Sequence, residues 1–285
     1  MVRRGHLAQR GRQAKGDIMG SGFWQRLSSA WQDHAADGAW GLGQAGGAVA
    51  QPKVPLATPT PAPSPLLGNE QAMIQVQVLA YDFTQTLTQQ MASMGPLHWP
   101  TLLGAAGALA GYSCQAGVAM MARQHGVAPE QALHIQQLAD GRYYSRCTLV
   151  DRLVLEDHPS LWSVLAAAAF RRGVQAQHKP NMGQLYSYVD STLGTSSFGV
   201  LRIEPMWLPQ PPPQGWPLHF WPEFNLRLQQ AQLQPLHWHV VFALVAYQLM
   251  EQAAAQVPPA VALQIVMESA LPASRLVLDR GGSAP

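Results

Sequence analysis

Residues 96–122 read PLHWPTLLGAAGALAGYSCQAGVAMMA, and this stretch decides the fold. Residues 101–122 include no charged side chain, and their number reaches the roughly 18–20 residues that a membrane-spanning helix needs. The run is rich in Ala and Gly, however, and Tyr112, Ser113 and Gln115 interrupt it. A helix that is apolar all round has to be buried on every side. We therefore predict a central core helix here rather than a membrane span.

Small residues recur on one face of this predicted helix, at Gly104, Gly107, Gly111 and Cys114. A stripe of small side chains lets the backbone of another helix approach closely, and Val118 continues the face and ends the close contact. A large residue at Gly111 should overpack this contact.

The four residues Pro96 to Trp99 return unchanged as residues 235–238, and a weaker variant stands at residues 217–222. His and Trp are scarce, with 10 and 9 of 285 residues, so chance explains the repeat poorly. The second copy also precedes a long apolar helix, which begins near Val240. We predict two equivalent central helices that originate from an internal repeat.

The body of the chain, residues 69–282, should form one helical domain. Hydrophobic periodicity, prolines at helix starts and glycines at helix ends set the expected bounds. Helices are expected near residues 70–94, 100–123, 129–141, 159–172, 181–193, 222–233, 238–256 and 259–271. Residues 142–155 favour a hairpin, residues 198–203 a strand that pairs with it, and residues 208–217 a Pro-rich surface loop. The predicted fold is mainly α (α+β), with a small antiparallel sheet.

Residues 1–18 hold the excess of basic charge. Removing their five bases and one acid from the 18 and 16 of the whole chain changes the net charge from +2 to −2. We predict either a disordered basic tail or a start site assigned too early, with Met19 as the true start. The remaining sequence lacks the basic stripe of a nucleic-acid-binding face, so no nucleic-acid partner is expected for the folded body.

Residues 19–37 favour a short amphipathic helix whose aromatic face could dock on a partner. A linker over residues 38–68, rich in Pro, Gly and Ala, would tether this helix to the body. Two alternatives stay open: the helix folds back on the core, or it lies on a membrane surface. The residues expected to dock are Phe23, Trp24, Leu27 and Trp31.

The repeated helix starts supply the ligand-pocket candidates, which are His98, Trp99, His237, Trp238 and His239. If the two copies meet in space, they could line one pocket. The competing interpretation is that each histidine packs at its own helix start, shielded by the neighbouring Trp. The spacing lacks the usual pattern of a metal site, and we recognise no cofactor fingerprint, so neither a metal nor a cofactor is predicted.

Two further polar segments have a structural interpretation beside a chemical one. His158 stands between carboxylates just before Pro159, where either Asp157 or His158 would cap a helix rather than act as a base. Residues 142–146 interleave Arg and Tyr, which is typical of an exposed strand and also of a phosphate or base clamp.

The two cysteines are too few for a disulfide framework, and reduced thiols in the cytoplasm are expected. Low charge content (12%), nine tryptophans and the tethered helix favour a non-enzymatic interaction, scaffold or accessory protein that docks through its N-terminal aromatic helix. The first alternative is a small-ligand-binding protein or hydrolytic enzyme that uses the His/Trp-lined pocket. The second is peripheral membrane association, and self-association into a homo-oligomer also stays open.

Overall fold

The computed structural model describes residues 70–278, which are mainly helical with a small antiparallel sheet, so the predicted fold class is confirmed. The α-helices are α1 (Glu70–Ser93), α2 (Trp99–Gln124), α3 (Pro129–Ala132), α4 (Thr148–Asp151), α5 (Leu161–Arg171), α6 (Met182–Thr192), α7 (Trp216–Gln230), α8 (Trp238–Ala253) and α9 (Pro259–Ala273). A π-helical turn (Arg152–Glu156) follows α4. Short 3-10 turns are formed by Ala176–His178, Pro205–Trp207, Pro213–Gly215 and Pro235–His237.

The predictions for residues 1–18, 19–37 and 38–68 lie outside the described residues, as does the tail after Leu278.

Helix α2 occupies the centre of this body. Every residue from Pro100 to Gln115 is buried, and the helix begins where Pro100 needs no intrahelical hydrogen bond. By length and composition α2 could cross a membrane, but 89% of its most apolar window is buried inside the protein. That burial is expected of a core helix.

Glycines allow α9 to lie directly against α2, as the stripe of small residues predicts. A Cβ atom added at Gly111 would overlap the carbonyl oxygen of Ala270, and one added at Gly107 would lie 2.9 Å from the Cα atom of Val266. Real Cβ atoms essentially never come closer than 3.0 Å to such atoms. The two backbones therefore touch, which any larger side chain would prevent.

Aromatic rings close the opposite side of the core, where α1, α7 and α8 meet. The ring of Phe83 lies 4.4 Å from that of Phe224 and 5.5 Å from that of Phe242, measured between centroids. These are favourable separations for aromatic pairs, and all three side chains are fully buried. The cluster fixes α7 against the α1–α8 pair.

The sheet has the order β1-β2-β3, with β1 (Ile135–Gln137), β2 (Tyr143–Ser145) and β3 (Leu276–Val277). Strands β1 and β2 form an antiparallel hairpin, in which Ile135 is opposite Ser145. The turn uses Gly141 in a left-handed conformation (φ +78°), which glycine adopts without strain.

Two predictions around the hairpin were wrong. The helix expected over 129–141 ends at Ala132, because His134 takes a left-handed conformation (φ 49°) and the chain then enters β1. The β-structure expected over 142–155 ends at Ser145, and the apolar run that follows is helical. Short apolar runs are ambiguous in sequence, because a buried strand and a buried helical turn share one composition.

The third strand was also assigned to the wrong segment. Residues 198–203 form no strand, and β3 takes the place beside β2 instead. The backbone N–H of Arg202 donates to the carboxylate of Glu268, and the side-chain amide of Gln264 donates to the carbonyl of Arg202 at 3.2 Å. Side chains of α9 thus satisfy backbone groups that a sheet would otherwise pair.

The Pro-rich segment is only partly a surface loop. Pro209 and Pro213 are buried, and a Cβ atom added at Gly104 would lie 2.9 Å from the Cγ atom of Pro209. Helix α7 then begins at Trp216, six residues before the predicted start, since Pro217 stands in its first turn, where proline is tolerated.

We expect Gly111→Ala to lower the free energy of unfolding by at least ~1–3 kcal/mol, because the added methyl group overlaps the backbone of α9. Chemical denaturation of the full chain measures this. The matched control is Gly215→Ala, where an added Cβ meets no atom within 4 Å and the backbone is already right-handed, so the change should alter stability by less than about 1 kcal/mol. Equal stability of the two variants would contradict the close contact.

Candidate functional site

The two copies of the Pro-Leu-His-Trp sequence lie at opposite ends of α2. A Cβ atom on Gly117 would overlap the carbonyl oxygen of Pro235, so the second copy stands beside Gly117. Gly117 is 18 residues along the helix from Trp99, which corresponds to about 27 Å. Helix α8 packs along α2 from that end. The two copies therefore lie about the length of α2 apart and are not brought together in one pocket.

His98 supports the start of α2. Its Nδ1 atom lies 2.7 Å from the hydroxyl of Thr101. That hydroxyl also accepts the backbone N–H of Gln210 at 2.8 Å and donates to its carbonyl at 3.1 Å. His98 is exposed and Trp99 half-buried, so this copy fastens the Pro-rich segment to the helix rather than lining a cavity.

His239 fastens α8 to the segment before α5. Its Nε2–H donates to the carbonyl of Pro159 at 2.8 Å, and its side chain is buried. Burial lowers the pKa of His239 to about 4, and it also lowers the pKa of the half-buried His237. Both imidazoles are consequently neutral near pH 7.

The segment before α5 does not use the predicted cap. Ser160 caps the helix: its hydroxyl accepts the N–H of Ser163 at 3.1 Å, and the Ser163 hydroxyl accepts the N–H of Ser160 at 2.9 Å. Neither Asp157 nor His158 holds that position. Such a reciprocal pair can be formed by two serines, a variant that the usual Ser-x-x-Glu pattern misses.

Other titratable side chains that could take part in a reaction are buried in the fold or bonded to neighbouring groups. Tyr144 is buried and donates to the carboxylate of Asp140 at 2.6 Å, and Arg142 forms an ion pair with the same carboxylate. The strand thus presents no open row of Arg and Tyr for a base or phosphate. Burial raises the pKa of the Cys114 thiol, and Cys147 is also buried and free. Within residues 70–278, no group of three or more His, Cys, Asp or Glu could hold a metal ion.

Sequence reasoning missed a buried ion pair. The Arg275 guanidinium lies 2.7 Å from the carboxylate of Asp151, which also accepts the hydroxyl of Tyr186 at 3.1 Å. The carbonyl of Arg275 accepts the N–H of Ser145 at 2.7 Å. This arrangement attaches the segment before β3 to α4, α6 and β2. No local pattern indicates it, since its members come from three separate parts of the chain: residues 145–151, Tyr186 and Arg275.

The body opens into a cleft of about 280 Å³ beside the last turns of α2, which we call the α2–α7 groove. It forms where α2, buried up to Gln115, first reaches the surface. The groove is lined by Tyr112, Gln115, Ala116, Ala119, Met120, Arg123, Leu133, Trp221, Pro222, Asn225, Trp238, Val277 and Leu278. Of the five pocket candidates from the sequence, only Trp238 lies in this lining.

Aromatic contacts fix the walls of the groove. The ring of Trp221 lies 5.1 Å from that of Tyr112, edge to face, and 5.9 Å from that of Trp238. The Trp238 indole N–H donates to the carbonyl of Leu233 at 3.1 Å, and its side chain is only 2% exposed. Trp238 is therefore a rigid support, and Trp221 is the half-exposed aromatic surface.

Polar side chains in the lining are few and mostly oriented by the fold. The Gln115 amide donates to the carbonyls of Ala273 and Leu276, at 2.8 Å and 3.1 Å. The Oδ1 atom of Asn225 accepts the side-chain amide of Gln229 at 3.0 Å, which leaves the Asn225 NH₂ group as a donor. A half-open, mostly apolar surface with a few positioned donors can bind an apolar chain segment and orient it.

Comparison with known proteins gives no match: no family model, no curated protein and no solved structure is similar to this chain. The case for a function therefore depends on the geometry of the α2–α7 groove. That groove is formed by residues that are distant in sequence. The only local signal for it was the end of the uncharged run of α2 at Arg123.

We expect acid to destabilise the protein through His239. A base with a lowered pKa in the folded state favours folding most when it is neutral, above its ordinary pKa of 6.5. This contribution is lost as the pH falls from about 6.5 to about 4, and it is on the order of 3 kcal/mol at most. His239→Gln retains a donor for Pro159 and cannot take up a proton. Its unfolding free energy should fall less steeply between pH 6.5 and 4 than that of the wild type, and an unchanged slope would contradict the assignment.

Proposed function

We propose that this protein is a non-enzymatic binding protein whose α2–α7 groove receives a short apolar segment of a partner protein. The observation that carries the proposal is the emergence of an otherwise buried core helix into a cleft with aromatic walls. Core helices of a self-sufficient domain are normally covered along their length, so an aromatic cleft over the final turns is a candidate contact surface.

The chemistry of the lining supports a protein partner. Tyr, Trp, Met and Arg are the residues enriched at protein interfaces, and the groove combines Tyr112, Trp221, Met120 and Arg123. Trp221 provides a half-exposed aromatic surface of the kind that dominates binding energy. Ala116 and Ala119 leave room above the backbone of α2 for an incoming side chain.

The dimensions suit a short segment rather than a whole domain. From Tyr112 to Arg123 the groove follows 11 residues of α2, which is about 17 Å. That length accommodates about three turns of a partner helix, or about five residues of an extended strand. An amphipathic helix laid into an apolar groove is a recurrent mode of peptide recognition.

Rigidity of the walls favours affinity. Tyr112, Gln115 and Trp238 are buried and fixed by ring contacts or hydrogen bonds, so they lose little freedom on binding. Side chains that are free before binding each cost roughly 0.5–1.5 kcal/mol to immobilise. Only the half-exposed side chains at the rim would incur that cost.

The structural roles of the reactive side chains also support a binding function. His239 is neutral and donates to a backbone carbonyl, Cys114 lies inside α2, and Tyr144 is bonded to a carboxylate. Each serves the packing of the body, and none of them lines the groove.

We expect peptides selected from a random display library, about 12 residues long, to bind the full chain through the groove. Met120→Gln should weaken the selected peptides about 5- to 10-fold, because it replaces an apolar contact in the lining with a polar one. Fluorescence anisotropy with labelled peptides measures the affinity. Met121→Gln is the matched control, since Met121 is the adjacent residue, is also half-buried and does not line the groove.

Failure of the selection to yield peptides sensitive to Met120→Gln would overturn the proposal. The second candidate function, binding of a small apolar ligand, is favoured by the cavity volume of about 280 Å³, which is near the lower limit for ligand pockets. If this second function is correct, the peptide selection yields no binders. Some small molecules then raise the melting temperature of the wild type and of Met121→Gln, but not that of Met120→Gln.

The docking role of the N-terminal aromatic segment stays a prediction, because residues 19–37 lie outside the described part of the chain. Deletion of residues 19–40 should abolish docking through that segment and leave peptide binding in the groove intact. For the membrane alternative, vesicle flotation should depend on Trp24 and Trp31. A deletion that changes only the melting temperature would assign the segment to the core and refute both forms of docking.

A further inference from the structure

We propose that the partner segment received by the α2–α7 groove is acidic, and that it places a carboxylate against Arg123. This inference rests on the proposed function and adds the chemistry of the partner. It follows from the kind of polar groups that the lining offers, from the pairing of the arginines in the body, and from the net charge of that body.

Two side chains of the lining, Arg123 and Asn225, offer hydrogen-bond donors to the groove. Arg123 is a donor only, with five N–H groups in a planar fork that matches a carboxylate. Asn225 has its oxygen occupied by Gln229 and offers its NH₂ group. Gln115 has its NH₂ group occupied by two backbone carbonyls. The unused N–H groups of Arg123 and Asn225 can bind a hydrogen-bond acceptor, and a carboxylate is the strongest acceptor that a peptide carries.

Arg123 differs from most arginines of the body in its pairing. Within residues 70–278 no carboxylate lies within 4.0 Å of Arg123, although the side chain is exposed in the last turn of α2. Six other arginines of that part of the chain each have an Asp or Glu partner, and they are Arg142, Arg152, Arg172, Arg202, Arg227 and Arg275.

The position of Arg123 in the last turn of α2 does not by itself explain why an arginine stands at this point of the groove. A cation in the last turn of a helix interacts favourably with the helix dipole, wherever on the turn it points. Here the side chain lines the mostly apolar α2–α7 groove. A segment bound over Met120 would remove water from the guanidinium, and an ion pair in such a setting is stronger than one in solvent.

The charge of the body selects a peptide carboxylate over a polyanion. Residues 70–278 have ten Lys or Arg and twelve Asp or Glu, a net charge of −2. A nucleic acid or an anionic membrane would find no net positive charge on this surface to attract it, whereas one carboxylate can pair locally with Arg123.

The display library tests this directly, because it is not biased toward any charge. Peptides that bind the full chain and are sensitive to Met120→Gln should be enriched in Asp or Glu beside their apolar residues. Arg123→Gln should weaken these peptides about tenfold, and replacing their acidic residue with Gln or Asn should have the same effect without a further loss in combination. Arg123 is exposed, so this variant should fold as the wild type does.

Arg172→Gln is the charge-matched control. It removes the same charge from an exposed arginine, paired with Glu251 at the far end of α8, 13 residues or about 20 Å from Trp238. It should leave the affinity unchanged. Groove-dependent peptides without acidic enrichment, or with equal affinity for Arg123→Gln and Arg172→Gln, would overturn the acidic partner while leaving the proposed function standing. The absence of any peptide sensitive to Met120→Gln would instead overturn the proposed function itself.

Discussion

Backbone contact between α2 and α9 is the constraint on which the rest of the structure depends. Gly107 and Gly111 let the carbonyl groups of Val266 and Ala270 come where a Cβ atom would otherwise stand. Two helices at that separation leave no room for side chains between them, so α2 must bury its other faces against α7, α8 and the Pro-rich segment. The central position of α2 thus depends on Gly107 and Gly111, which carry a hydrogen atom where any other residue would carry a Cβ atom.

The same constraint explains where the surface opens. Gly117, the last close contact of α2, accommodates Pro235 at the start of α8. Residues 119–123 continue the helix beyond that contact, where Ala119, Met120 and Arg123 line the groove, and α7 and the end of β3 form its sides. The site is therefore the uncovered end of the core rather than a cavity inside it. Its walls inherit the rigidity of the core because Trp238 belongs to both.

Local patterns in the sequence predicted the features that depend on local chemistry. The uncharged run before Arg123 and the stripe of small residues both have a physical meaning within a few residues, and the structure confirms them. The third strand, the pair formed by Arg275 and Asp151, and the groove join distant segments. No pattern within one segment carries information about such contacts.

The repeated Pro-Leu-His-Trp sequence shows why a strong local signal is a weak guide to function. Both copies start a helix, which is what proline and a helix-initiating turn do wherever they occur. The two copies differ in their packing. In the first copy His98 is exposed and holds a loop, whereas in the second copy Trp238 is buried and supports the groove. A residue acquires a binding role through what surrounds it. In this fold those surroundings depend on the end of α2 at which the copy lies, and the copy beside Gly117 places Trp238 in the lining of the groove.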